Sequence, residues 1–387
     1  MANAPLKDLK VVELARILAG PWIGQTLADL GADVIKVESP SGDDTRNWGP
    51  PSIETGGHQT AAYFHSCNRG KRSIIADFSL AQDRDTVIAL VRTADVLIEN
   101  FKVGGLQKYG LDFASLSELN PRLIYCSVTG FGQSGPYAAR PGYDFMIQGL
   151  SGIMDLTGDP SGEPQKMGVA FADIFTGLYG VIAIEAALLA RAETGKGQHI
   201  DMSLFDCMTG VLANQAMNFL ASGVSPERLG NIHPNIAPYQ TFPVFNGHIV
   251  IAVGNDGQFH RLCGVLGLGQ AALDQRFASN ALRVVNRPEL AGVIAQATST
   301  WTREALLHAL ESANVPAGPI NTVAQVFDDP QFQSRKMMIE AQGIPGLRTP
   351  ITMSHSTLTL QRRAPMLGEH TTEILQELAA QNRTERE

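Results

Sequence analysis

The sequence is poor in the features that mark several common protein classes. Its four cysteines, Cys67, Cys126, Cys207 and Cys263, are scattered without a CxxC pair. That spacing indicates neither a zinc site nor a disulfide framework, so no metal and reduced cytoplasmic thiols are expected. Basic residues are outnumbered, 30 Lys and Arg against 38 Asp and Glu, giving a net charge of −8 and a pI near 5.6. This balance argues against a nucleic acid or an anionic membrane as the main partner. The start, MANAPLKDLK, has no long apolar stretch after a basic one, and no later run reads as long and bare enough to span a bilayer. The GxGxxG spacing is missing from the first strand-to-helix turn, ARILAGPWIG, and GxxxxGK[ST] occurs nowhere, so dinucleotide and P-loop readings lose support. With 44% hydrophobic and 18% charged residues there is no disordered block, and only the tail after Gln381 reads as frayed.

At 387 residues the chain exceeds one usual core, so two domains are expected. In the first half short apolar runs alternate with helical ones: LKVVEL at 9–14, ADVIKVE at 32–38, RSIIADF at 72–78, DVLIEN at 95–100 and RLIYCSV at 122–128. This rhythm predicts an α/β fold with a large doubly wound parallel sheet. Ligands of such sheets gather at the carboxyl ends of strands, which puts Arg16, Ser39, Asn100 and Gly130 near one rim. A further strand is predicted at HIDMSLF, 199–205. A stretch rich in Pro, Gly and Asn, SGVSPERLGNIHPNIAPYQTF, then reads as a linker into a smaller α+β domain. The expected division is 1–222 for the first part of the large domain and 223–325 for the linker and small domain. Residues 326–387 would return to the large domain, with short strands near Ile351 and Leu358 and a helix from about Thr371 to Ala380.

One acid stands out. Asp173 opens the run IFTGLYGVIAIEAALLA, whose only further charge is Glu185 and whose length suits an interior helix. Two readings fit an aspartate there. It can be an ordinary helix cap, or a nucleophile whose ionised form is held by the amides and dipole of that helix start. Gly152, Gly158, Gly162, Gly168, Gly177 and Gly180 surround it, and glycine lets a backbone approach a ligand where a Cβ would collide. A cap alone needs none of them.

Taken together, ELARILAGPWIGQTLADLGADVIKVESP, NRGKRSI, ADVLIENFKVGGLQKYGLD, SVTGFGQSGP, RPGYD, the Asp173 segment, TGKGQHIDMSLFD and PMLGEHTTEIL resemble the class III CoA-transferases, over nearly the whole chain. The resemblance implies that Asp173 is the catalytic aspartate. It would attack the thioester of a donor acyl-CoA, releasing CoA thiolate and forming an aspartyl mixed anhydride. An acceptor carboxylate would then take the acyl group, and the chemistry in reverse would charge the acceptor with CoA. CoA and acyl-CoA enter as substrates, with no permanently bound cofactor. The resemblance further implies an interlocked homodimer of ring-shaped monomers.

For CoA the resemblance points to Arg16, Ile17, Leu18 and Ala19, to Ala76, to Asn100, Phe101 and Lys102, and to Lys108, with Arg140, Tyr143 and Asp144 along the same channel. Cations at Arg72, Lys102, Lys108 and Arg140 could meet phosphates, although an exposed Lys or Arg is by default a solvated one. Asp144 would help to orient Asp173. The stretch PSGDDTRNWGPP and the HPNIAPYQ linker look most like the succinyl-CoA:dicarboxylate subgroup. A second carboxylate would need a cation, for which Arg46, Arg69 and Arg16 are the candidates. The glycine tetrad that covers the intermediate in formyl-CoA transferases has no counterpart; GNIHPNIAPYQ stands there, with Gly230, His233 and Asn235 as candidate lid residues. Racemases of the same fold need a base where this chain has Tyr143, a poor base near its ordinary pKa of about 10. A non-catalytic CoA-binding protein is the remaining alternative, and the presence of Asp173 argues against it.

Overall fold

The computed structural model describes residues 3–384. Within them, chain contacts separate two units: residues 3–153, 166–220 and 331–384 in the first, and residues 154–165 and 221–330 in the second.

Six parallel strands form the sheet of the first unit: β1 (Lys10–Glu13), β2 (Asp33–Glu38), β3 (Arg72–Ile75), β4 (Val96–Glu99), β5 (Ile124–Thr129) and β6 (Gln198–Ser203). Their order is β3-β2-β1-β4-β5-β6. The chain therefore builds outward from β1 in one direction, returns, and builds outward from β4 in the other. Such a reversal leaves a crevice beyond the carboxyl ends of β1 and β4. The strands are apolar on both faces, as a parallel sheet covered by helices requires. Val11, Val34 and Ile98 enter one core with α1 (Ala19–Asp29) and α5 (Phe171–Thr194). Their neighbours Val12, Ile35 and Leu97 enter the other with α2 (Ala81–Arg92), α3 (Phe113–Leu119) and α7 (Thr371–Thr384). Two shorter helices, α4 (Asp144–Leu150) and α6 (Leu204–Gly210), complete the side carrying α5.

The second unit has its own core around an antiparallel sheet of β7 (Tyr239–Val244), β8 (Gly247–Ala252) and β9 (Ala317–Pro319), in the order β9-β8-β7. Residues 154–165, which the sequence reading leaves in the large domain, group with this unit. Arg228 gathers them, donating to the carbonyls of Asp155, Asp159 and Gly162 at 2.9–3.1 Å.

Two expectations are corrected. No strand forms near Ile351 or Leu358. Pro350 breaks the donor pattern, and side chains satisfy nearby carbonyls instead, with Arg348 donating to Thr349 and Ile351. The strands lie earlier, at Met338–Ala341 and Ile344–Leu347, where Gln342 and Gly343 both take the positive φ of a tight hairpin turn. The expectation that no segment is long and apolar enough to cross a bilayer also needs revision. By length and composition alone α5 is, with 24 residues and a mean hydropathy of 1.6 in its most apolar window. One face of it packs within the first unit through Ala172, Thr176, Gly177, Gly180, Val181, Ile184 and Ala187. The other exposes Leu178, Tyr179, Ile182 and Leu189. As for the tail after Gln381, helix α7 continues to Thr384, and residues 385–387 lie outside the described residues.

Candidate active site

The crevice at the strand reversal is lined by the segment that follows β1. Asn100, one residue past β4, grips Arg16 at both ends of its backbone: Arg16 N–H donates to Asn100 Oδ1 at 2.9 Å, and Asn100 Nδ2 donates to the Arg16 carbonyl at 2.7 Å. The next residue, Ile17, has φ of +72°. A β-branched side chain is rarely found there, and the conformation needs support from its surroundings. Its amide donates to both carboxylate oxygens of Asp43, at 3.3 and 3.2 Å. Two residues later α1 begins.

Asp173 lies in the first turn of α5 but does not cap it. That position is Ala170, which has no capping side chain. The cap comes from elsewhere: Asp144 Oδ2 accepts from the Ala172 amide at 2.8 Å and the Asp173 amide at 3.3 Å, while its Oδ1 accepts from Gln148 at 2.6 Å. The Asp173 carboxylate is turned to the start of a different helix, accepting from the Ala19 amide at the head of α1. The expectation that helix ends keep this carboxylate fully ionised is corrected. Burial first and the negative Asp144 second push its pKa up from 3.8 to about 7, against which the Ala19 amide is the weaker influence.

The glycines near Asp173 divide by role. A Cβ on Gly177 would lie 2.9 Å from Trp22 Cδ1, and one on Gly180 would strike Ile23, so both exist to bring α5 against α1 rather than to admit a ligand. Gly130 and Gly142 are different. Their backbones cross so closely that neither tolerates a Cβ, and both line the cavity.

That cavity measures about 440 Å³. It unites Arg16, Ile17, Ala19, Asn100, Phe101, Lys102, Arg140, Tyr143, Asp144 and Asp173 from the sequence-derived set. Of the rim positions, Gly130 is present and Ser39 is not; the Ser39 hydroxyl pairs with that of Ser41. Leu18 and Ala76 are buried and outside the lining, and Lys108 sits over the Tyr109 ring. The other arginines are committed to structure. Arg72 is held by Asp33, Glu373 and Glu377, Arg46 makes two bonds to Glu38, and Arg69 makes two to Asp29. His233 and Asn235 belong to the second unit, where the His233 ring packs on Tyr239 and its Nδ1 accepts from the Asn235 amide. Val128, Thr129, Ala138, Ala139, Pro141 and Leu204 also line the cavity and were not anticipated. Among the described residues, no three His, Cys, Asp or Glu side chains are grouped to hold a metal ion.

Comparison with known proteins finds relatives along nearly the whole chain. Residues 6–371 match the sequence profile of CoA-transferase family III. A curated relative from Agrobacterium fabrum, named succinate–glutarate CoA-transferase, is 55% identical over 98% of this chain and 97% of its own. The Homo sapiens succinyl-CoA:glutarate CoA-transferase is 38% identical over 97% of this chain and 86% of its own. Among solved structures, a CAIB/BAIF family protein from Brucella suis is 66% identical and superposes with a TM-score of 0.89, covering 97% of this chain and all of that one.

Proposed function

This chain belongs to CoA-transferase family III, and from that premise we propose that it moves CoA from succinyl-CoA to a second dicarboxylic acid through covalent chemistry on Asp173. The activities for which the Agrobacterium and human relatives are named support the donor and the acceptor class. The observation that carries the mechanism is Asp173 itself: a carboxylate at the wall of a cavity of suitable size, desolvated, beside a like charge, with a pKa near 7. Such a group is more nucleophilic than an ordinary aspartate yet still substantially ionised at neutral pH.

The atoms balance in four steps. An Asp173 oxygen bonds to the thioester carbonyl carbon, the C–S bond breaks, and CoA thiolate leaves behind an aspartyl–succinyl anhydride. The reverse chemistry that the resemblance implies, by which the acceptor is charged with CoA, then runs through a thioester on the same aspartate. The thiolate attacks the aspartyl carbonyl, forming an aspartyl thioester and freeing succinate. The acceptor carboxylate displaces thiolate from that thioester, giving an aspartyl–acceptor anhydride. Thiolate then attacks the acceptor carbonyl, releasing acceptor-CoA and free Asp173. Each anhydride is prone to hydrolysis, which is the reason for seating the acid away from bulk water.

Lys102 and Arg140, both in the cavity lining, would meet CoA phosphates, and Asn100 and Phe101 would wall its pantetheine arm. Of the three arginines considered for the distal carboxylate, Arg16 alone faces the cavity, and its ion pair with Asp44 at 3.0 Å is exposed and exchangeable. Arg16→Ala should raise KM for a dicarboxylate and spare a monocarboxylate. We further propose a cytoplasmic homodimer. The outer apolar residues of α5, with Met217, Phe219 and Leu220, support a second copy as their cover. Sedimentation giving a stable monomer at micromolar concentration would count against that.

The deciding experiment is a trap. Protein incubated with succinyl-CoA and quenched with hydroxylamine or borohydride should carry a modification at Asp173 by peptide mass spectrometry, and acceptor-CoA should form with a dicarboxylate. Normal CoA binding with no adduct would favour a binding protein. Exchange of the α-proton of an acyl-CoA without acyl transfer would favour a racemase.

A further inference from the structure

Behind the Ala15–Ile17 segment lies a buried ionic cluster none of whose own side chains lines the cavity. Lys36 Nζ contacts Asp43 Oδ2 at 3.0 Å, Glu13 Oε1 at 3.1 Å and the Ala15 carbonyl at 2.8 Å, and the side chains of Lys36, Glu13 and Asp43 are fully buried. Lys71 shares Glu13 at 2.8 Å. Asp43 accepts from everything that reaches its carboxylate: the Lys36 ammonium, the Thr45 amide at 3.0 Å, the Thr45 hydroxyl at 2.7 Å and the Ile17 amide. Among the described residues four donors face it, of which the Thr45 hydroxyl alone could also accept, so an amide side chain at this position would point its N–H₂ at the Lys36 ammonium or at the Thr45 amide whichever way it turned. The Lys36 charge holds the Asp43 carboxyl below the usual aspartate range even though it is buried. Both ends of the Ala15–Ile17 segment are thus tied to one cluster, through the Ala15 carbonyl on Lys36 and the Ile17 amide on Asp43.

We propose that Asp43, fixed by Lys36, is a positioning residue of the acyl-CoA site: it holds Ile17 in its left-handed conformation and so shapes the wall that receives the thioester. Asn100 holds the other side of the same peptide through the Arg16 carbonyl, so Asp43 and Asn100 fix its plane between them, while the Ile17 carbonyl receives the Cys67 thiol at 3.5 Å. The consequence reaches the chemistry through the chain itself. Ile17 and Ala19 are two residues apart, and the Ala19 amide is the donor on Asp173. Release of Ile17 would let the turn relax toward negative φ, shifting both the cavity wall and that amide.

This inference rests on the reading that the cavity takes acyl-CoA. The test therefore begins with CoA binding to the unaltered protein by titration calorimetry, and a protein that does not bind CoA overturns that reading whatever Asp43 does. Given binding, Asp43→Asn should raise KM for succinyl-CoA and weaken CoA about tenfold while changing kcat less, because displacing a binding wall acts mainly on association with the site. The decisive comparison is with Ile17→Gly. Glycine takes positive φ without support, so in the Ile17→Gly background the Asp43→Asn change should cost less than about threefold. Equal loss in both backgrounds, or a folded Asp43→Asn protein with unchanged KM, overturns the proposal. Should Asp43→Asn fail to fold because Lys36 loses its counter-charge, the paired change Lys36→Met with Asp43→Asn removes both charges. It should show the same raised KM, and a normal KM in that protein would equally overturn the proposal.

Discussion

Two aspartates at either end of one short turn have opposite fates. Asp43 receives the Ile17 amide and Asp173 the Ala19 amide, yet the first is held ionised and the second is pushed up to about 7. Burial does not separate them, since desolvation raises both. Company does. Asp43 has a buried ammonium and three further donors, whereas Asp173 has one donor and a neighbouring carboxylate. A protein that needs a fixed strut surrounds the acid with donors, and one that needs a nucleophile leaves it under-satisfied.

The comparison breaks most visibly if the two acids exchange importance. Asp173→Asn should lower kcat at least about a thousandfold with the protein still folded, because no other group in the proposed scheme can carry the acyl intermediate. Steady-state transfer assays decide this, and parental rates would end the covalent mechanism. Asp43 can next be given surroundings like those of Asp173. Lys36→Met strands a buried anion, and urea unfolding should lose about 3–5 kcal/mol. Adding Asp43→Asn should recover part of that loss, as a coupled pair requires. In the unaltered protein the depressed Asp43 contributes stability that is present above the ordinary aspartate pKa and lost as pH falls through its own. In Lys36→Met that acid-side loss should shrink.

A subtler change sharpens the contrast from the other side. In the proposed scheme Asp173 reacts as its anion, so kcat/KM should rise with pH through about 7. Asp144→Asn keeps an oxygen for the α5 amides but removes the like charge, so the rising limb should move to lower pH by up to about one unit. An unmoved limb would assign the shift wholly to burial. The smallest effect is on stability. A carboxyl whose folded pKa is raised favours the folded state fully below its unfolded value of 3.8, and that contribution is lost as pH rises through about 7. Above pH 7 the unaltered protein therefore holds a poorly solvated charge, and Asp173→Asn should raise Tm at pH 8 by a few degrees, roughly the scale of 1 kcal/mol in a domain of this size. A lowered Tm would mean that Asp173 is a structural acid after all.

Much of this molecule could be read without coordinates. The six strands of the parallel sheet announce themselves as short β-branched runs, and α5 as a long apolar stretch opened by an acid, because those signals depend on neighbours a few residues apart. The order of motifs carried the family, and with it the proposed roles of Asp173, Asn100 and Lys102, which the fold brings into one cavity. The arginines could not be sorted that way. Arg72 meets Glu377 across 305 positions and Arg69 meets Asp29 across 40, and no local pattern tells such committed cations from Arg16, which faces the cavity. Asp43 lay in plain view within GDD and gave no sign of its task, since its partners are Lys36 and an amide 26 positions away.

The sequence by itself determined the α/β class, the family and the acid on which the proposed chemistry turns, since periodicity, turn chemistry and motif order are written along the chain. Only the tertiary structure decided which helix end serves that acid, which carboxylate caps the helix that bears it, and which charges are struts rather than ligands for substrate. Electrostatic environment is a property of distances in space, and folding sets those distances by bringing together residues that the chain keeps far apart.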